Sequence, residues 1–164
     1  MSVEVSFGVQ VTTVETLTAN VPAVQAAKAR ITHDQYNESL TLNSGSTPPA
    51  TLCAFFLKAL SSGSATIDLT ALTGTNGASV DFSGLKVQVA KFKNPATNAN
   101  SITVTVGASN GYLLAGAAWK AILAPGQSVT YQCNDASPDV GSSAKNIDVS
   151  GTGTQTLQVS LIAG

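Results

Sequence analysis

Between Val3 and Val11 every second position is apolar. Val3, Val5, Phe7, Val9 and Val11 fall on one face, and Glu4, Ser6, Gly8 and Gln10 on the other. Successive side chains of an extended chain point in opposite directions, so this period of two predicts a half-buried strand. The alternation returns at Ile67 and Leu69, at Ile102, Val104 and Val106, and at Val129, Tyr131 and Cys133. It returns again at Ile147 and Val149, and at Leu157, Val159 and Leu161. A short strand is expected over 38–43, with Leu40 and Leu42 inward. The stretch 52–60 is apolar on both faces with Lys58 as its one charge, which predicts a central strand covered on both sides. Val80 and Phe82 lead into Leu85, Val87 and Val89; the phase then slips so that Phe92 is the next large apolar residue, and a β-bulge near Ala90 would account for it. The stretch 112–123 reads as strand, turn, strand around Gly116. The stretch 21–30 fits a short helix with Pro22 in its first turn and Asn20 as cap, and almost as well an alternating strand; both remain open.

Turn signals separate these segments every 8–12 residues, among them Ser44-Gly45-Ser46-Thr47-Pro48-Pro49, Asn76-Gly77, Pro125-Gly126 and Gly151-Thr152-Gly153. Short strands at that spacing predict an all-β fold, an antiparallel β-sandwich of jelly-roll type with an N-terminal strand or arm. The expected organisation is an arm and connecting segment over 1–30 and a sandwich domain over 31–164. No alternation of strands and helices supports a parallel sheet.

The chain has 164 residues, of which 43% are hydrophobic and 10% charged. That is enough length for one domain with a real core, and too little charge for a coiled coil or a charge-driven disordered chain. Eight Lys and Arg stand against nine Asp and Glu, a net charge of −1. A protein that grips nucleic acid needs a cationic stripe, so nucleic acid is not an expected partner. No run approaches the roughly 20 apolar residues of a spanning helix, so neither is a membrane. Met1-Ser2-Val3-Glu4-Val5 carries no cationic and apolar leader, and synthesis in a cytoplasm is expected. Cys53 and Cys133 lack the spacing of a metal or redox motif and read as two buried thiols in strands.

Little in the chain promises chemistry. The single histidine, His33, stands beside Asp34 without a nucleophile motif and reads as a packing or loop residue. One histidine and two distant cysteines do not make a zinc site. Asp135 and Asp139 share a loop but lack the rest of a calcium-binding loop. The nine acids show no pairing that marks a glycosidase. Trp119 and Tyr131 read as core, with a sugar platform on Tyr112 and Trp119 as the weaker alternative. No catalytic, cofactor-binding or metal-binding residue is therefore expected, and no cofactor. Five alternating apolar residues would be costly to expose, at about 1.5–3 kcal/mol each. Val3, Val5, Phe7, Val9 and Val11 are thus the candidate subunit interface. The alternative is an edge strand of the same subunit's own sandwich.

The stretch Ala65-Thr66-Ile67-Asp68-Leu69-Thr70-Ala71-Leu72-Thr73-Gly74-Thr75-Asn76-Gly77 resembles one found in small virion-associated structural proteins of tailed bacteriophages. Asn110-Gly111-Tyr112 and Leu123-Ala124-Pro125-Gly126-Gln127 are similar as well. The likeness spans roughly 31–164, and no residue in it carries chemistry. It implies a non-enzymatic capsid, decoration or cement subunit. Such a subunit would be made in the host cytoplasm, reside in the virion, and partner itself and other virion proteins. An extracellular surface-binding module, such as a carbohydrate binder, or a filament subunit is the alternative.

Overall fold

Inward-facing apolar residues from two antiparallel sheets meet in one buried cluster, and the rest of the fold follows from how the chain supplies those sheets. The computed structural model describes residues 4–9, 13–16, 30–33, 38–74 and 77–164. The chain divides into two compact units, Val5–Thr41 and the remainder, Met1–Glu4 with Leu42–Gly164.

In the smaller unit, β1 (Glu4–Val9) pairs with β4 (Glu38–Asn43), and β2 (Thr13–Thr16) pairs antiparallel with β3 (Arg30–His33). The expected strands at 3–11 and 38–43 are thus present within the described residues. The ambiguous stretch 21–29 lies outside them, as do Val3 and Val11.

In the larger unit, β5 (Leu52–Ala59), β14 (Thr156–Ala163), β9 (Val87–Lys93) and β12 (Ser128–Gln132) form one four-stranded sheet, in the order β12-β9-β14-β5. The second sheet has the order β11-β10-β13-β6, from β11 (Lys120–Leu123), β10 (Ile102–Val106), β13 (Asn146–Ser150) and β6 (Ser64–Asp68). Every ladder in both is antiparallel. Taking these eight strands as first to eighth along the chain, the orders are 6-3-8-1 and 5-4-7-2. The chain therefore passes from one sheet to the other at almost every connection. A hairpin of β7 (Leu72–Thr73) and β8 (Ser79–Val80) lies between β6 and β9. Its turn uses Gly77 at φ 78, the positive φ expected of an Asn-Gly pair.

Ile67, Ile102, Val104, Ile147 and Val149 of the second sheet share the core cluster with Phe92, Leu157, Val159 and Leu161 of the first. Burying each removes apolar surface from water, worth about 1.5–3 kcal/mol per side chain. Of the period-two residues named from sequence, Ile67, Leu69, Ile102, Val104, Cys133, Ile147, Val149, Leu157, Val159 and Leu161 are buried, and the protein is all-β as expected. Among the described residues no helix is long and apolar enough to cross a membrane.

Four expectations are corrected. The stretch 52–60 forms β5, which is an edge strand and not a central one, and its outward face is exposed at Phe55 (46%) and Leu57 (66%). Cys53 lies on that same face and is exposed, whereas Cys133 is buried as expected; both are free thiols. The stretch 112–123 holds one strand, β11, preceded by a 3-10 turn at Leu114–Gly116 in which Ala115 and Gly116 have φ 53 and 72. A left-handed pair ends any extended run there. The bulge sits at Gln88 and not at Ala90: Ile162 pairs with Val89 and Ala163 with Val87, leaving Gln88 as the extra residue.

Candidate functional site

Asp68, Asp81, Asp148 and Lys145 are committed to holding the fold. Asp68 accepts hydrogen bonds from Thr70 (backbone N–H, 2.9 Å) and from the ammonium of Lys145 (2.6 Å). Partial burial pushes its carboxyl up, but the Lys145 and Thr70 hydrogen bonds and the Lys145 charge outweigh this and hold it below the ordinary value. Asp81 caps its own turn through Ser83, whose hydroxyl and N–H lower its carboxyl. Asp148 joins β13 to its neighbours through the Thr66 hydroxyl and the Ala108 N–H, both at 2.8 Å. Among the described residues, no three of His, Cys, Asp and Glu come together as ligands for a metal ion. His33 ends β3 opposite Thr13, and Asp34 lies outside the described residues.

Tyr112, Trp119, Phe92 and Tyr131 are also structural. Tyr112 is fully buried. Its hydroxyl accepts from the Val87 N–H (2.9 Å) and donates to the Pro138 carbonyl (2.7 Å). Trp119 stacks on Phe92 at 5.7 Å and meets Tyr131 at 5.2 Å, while its indole N–H donates to the Tyr112 carbonyl. A sugar platform on Tyr112 and Trp119 is therefore overturned: one ring is enclosed, and the other is stacked against the core.

Of the candidate interface residues, Val5, Phe7 and Val9 lie in β1, whose partner is β4 of the same chain. The alternate residues Glu4, Ser6 and Gly8 are exposed, and the Ser6 and Thr41 hydroxyls are 3.1 Å apart.

The surface that stands out was not visible in the sequence. It is the outward face of the sheet β12-β9-β14-β5. Ladder registry sets Phe55, Ser160 and Lys91 in one row across β5, β14 and β9, and Leu57, Gln158 and Lys93 in the next. Each strand thus contributes one kind of chemistry: apolar on β5, hydrogen-bonding on β14, cationic on β9. Five of these six residues, all but Leu57, line a cavity of about 320 Å³. The side chains of Lys91, Lys93, Gln158 and Ser160 have no partner among the described residues. A second hollow of about 590 Å³ opens beside β5 and the β7–β8 hairpin. The carboxylate in that hollow is Asp68, already held by Lys145 and Thr70. The sequence signal for the first face was the alternation Lys91-Phe92-Lys93, which sends both cations away from the core. Its meaning depended on β5 being an edge strand. Comparison of the chain with protein-family models, curated proteins and solved structures finds no match.

Proposed function

We propose that the protein is a non-enzymatic structural subunit of a phage or virus particle, a capsid, decoration or cement protein acting through contacts with itself and with other virion proteins. The observation that carries the reading is the strand order. Eight antiparallel strands arranged as 6-3-8-1 and 5-4-7-2 around one core support the reading of a jelly-roll sandwich. That architecture is shared by many capsid and lectin domains, and the fold alone does not choose between them. The resemblance of 65–77, 110–112 and 123–127 to virion proteins of tailed phages supports the capsid side. So does the separate two-stranded pairing of β1 with β4, because a strand held outside the two main sheets can exchange between copies and keep the same ladder.

The test is assembly. Analytical ultracentrifugation of the full chain is expected to give a closed symmetric oligomer. The chain lacking residues 1–17 is expected to keep its β-rich circular dichroism but sediment as a monomer. A full chain that stays monomeric at every concentration and does not coat particles overturns the proposal.

A further inference from the structure

We propose that the outward face of the β12-β9-β14-β5 sheet is a binding site for an anionic saccharide, with Phe55 as the stacking platform, Gln158 and Ser160 as hydrogen-bonding partners of sugar hydroxyls, and Lys91 and Lys93 as the seat of a carboxylate or sulfate. The inference is independent of the particle reading, since it concerns a site carried by each single subunit.

The argument starts from registry. Phe55, Ser160 and Lys91 are directly opposite one another, as are Leu57, Gln158 and Lys93. Neighbouring strands lie about 4.8 Å apart and same-face residues about 7 Å apart along a strand. The apolar column and the cationic column are therefore about 10 Å apart, with a polar column between them. A ligand that satisfies all three must offer an apolar face, groups that both donate and accept hydrogen bonds, and a negative charge, in that order across about 10 Å. A sugar ring offers C–H bonds on one face and hydroxyls at its rim, and an acidic sugar adds the anion. Phe55 is 46% exposed, so its ring is open to stacking. Lys91 and Lys93 are exposed, lie on one face of one strand, and have no acidic partner among the described residues. Like charges left adjacent and unpaired are mutually repulsive, and an anion lying between them relieves that repulsion. The cavity, about 320 Å³, falls at the small end of ligand pockets, which start near ~300 Å³.

Other occupants fit less well. A peptide strand added to the open edge of β5 would lie about three strand spacings, roughly 14 Å, from β9, leaving both lysines unused. Nucleic acid requires a longer cationic stripe than two lysines on a chain of net charge −1.

The experiment is isothermal titration of the full chain with three oligosaccharides of similar length. These are tetragalacturonate for carboxylate, a κ-carrageenan tetrasaccharide for sulfate, and maltotetraose as neutral control. Binding is expected for one or both acidic probes, at least tenfold tighter than for maltotetraose. Phe55→Ala is expected to weaken it about tenfold, and Lys91→Gln with Lys93→Gln at least tenfold. All the substituted side chains are exposed, and an unchanged thermal transition verifies the fold of each variant. No heat with either acidic probe overturns the proposal. So does binding that added salt abolishes and Phe55→Ala leaves unchanged, since that is non-specific attraction of a polyanion. A concentration-dependent dimer that Phe55→Ala abolishes, without saccharide binding, assigns the face to a second copy of the chain and overturns it equally.

Discussion

Asn94 braces its own loop and ties it to the end of β11 with one amide. Its side-chain N–H groups donate to the carbonyls of Leu123 (2.8 Å) and Asn100 (3.1 Å), and its side-chain oxygen accepts from Asn98 (2.6 Å). The residue and its bond to Leu123 are buried, so losing that bond leaves a carbonyl that water does not reach. An unsatisfied buried polar group costs about 1–3 kcal/mol. Asn94→Ala is expected to lower stability by about 2–3 kcal/mol. By calorimetry this is a fall in Tm of roughly 4–12 °C for a chain of this size. Buried acids set a second residue-scale effect. Burial pushes the Cys133 thiol up, against hydrogen bonds from Ser137 and the Ala115 N–H. Burial likewise pushes up the phenols of Tyr112 and Tyr131. All three are neutral when they release no proton, so the folded state favours the protonated form and the unfolded chain ionises first. Their contribution is whole below the ordinary thiol value of 9.0 and is lost as pH rises past it and past the ordinary phenol value of 10.0. Urea midpoints measured from pH 8 to pH 11 are expected to fall over that window, and to fall less in a Cys133→Ala, Tyr112→Phe double variant.

Tight turns add to the ladders in holding neighbouring elements together. The turn from β5 to β6 is bound to the turn after β13: the Gly63 N–H donates to the Gly153 carbonyl, and the Gly151 N–H donates to the Gly63 carbonyl, both at 2.8 Å. Gly63 has φ 83, and a Cβ there would lie 2.8 Å from the Gly151 oxygen. Gly63→Ala therefore meets both left-handed strain and a backbone clash. It is expected to cost at least ~2 kcal/mol, read as a lower denaturation midpoint with an unchanged spectrum. The strands themselves were legible in the sequence, because Ile102-Thr103-Val104 or Leu157-Gln158-Val159 can bury one face only as extended chain. What alternation does not encode is a strand's neighbours. Phe55 and Leu57 have the same hydrophobicity whether covered or exposed, so the edge position of β5 was hidden. The run Tyr112-Leu113-Leu114 looked extended because its apolar density resembles a strand's. The left-handed conformation at Ala115, a residue with no turn preference, left no local mark. The saccharide face was illegible for a related reason. It needs Phe55, Lys91 and Gln158 side by side, and residues so distant in sequence become neighbours only through registry.

At the scale of the whole molecule, the central fact is that both main sheets are assembled from strands distant in sequence. β14 lies between β5 and β9 and pairs with both along almost its whole length. Contacts of such wide separation make folding slow, in the range of milliseconds to seconds for β-rich domains. They also fix an order of events during synthesis. Until residue 163 has left the ribosome, β5 and β9 have no strand between them, and each carries a bare edge with apolar residues beside it. A growing chain stalled after β13 exposes two unpaired edges at once, the condition that favours pairing with another polypeptide. β14 is thus the strand that closes the sheet, and the nascent chain is most vulnerable just before β14 emerges.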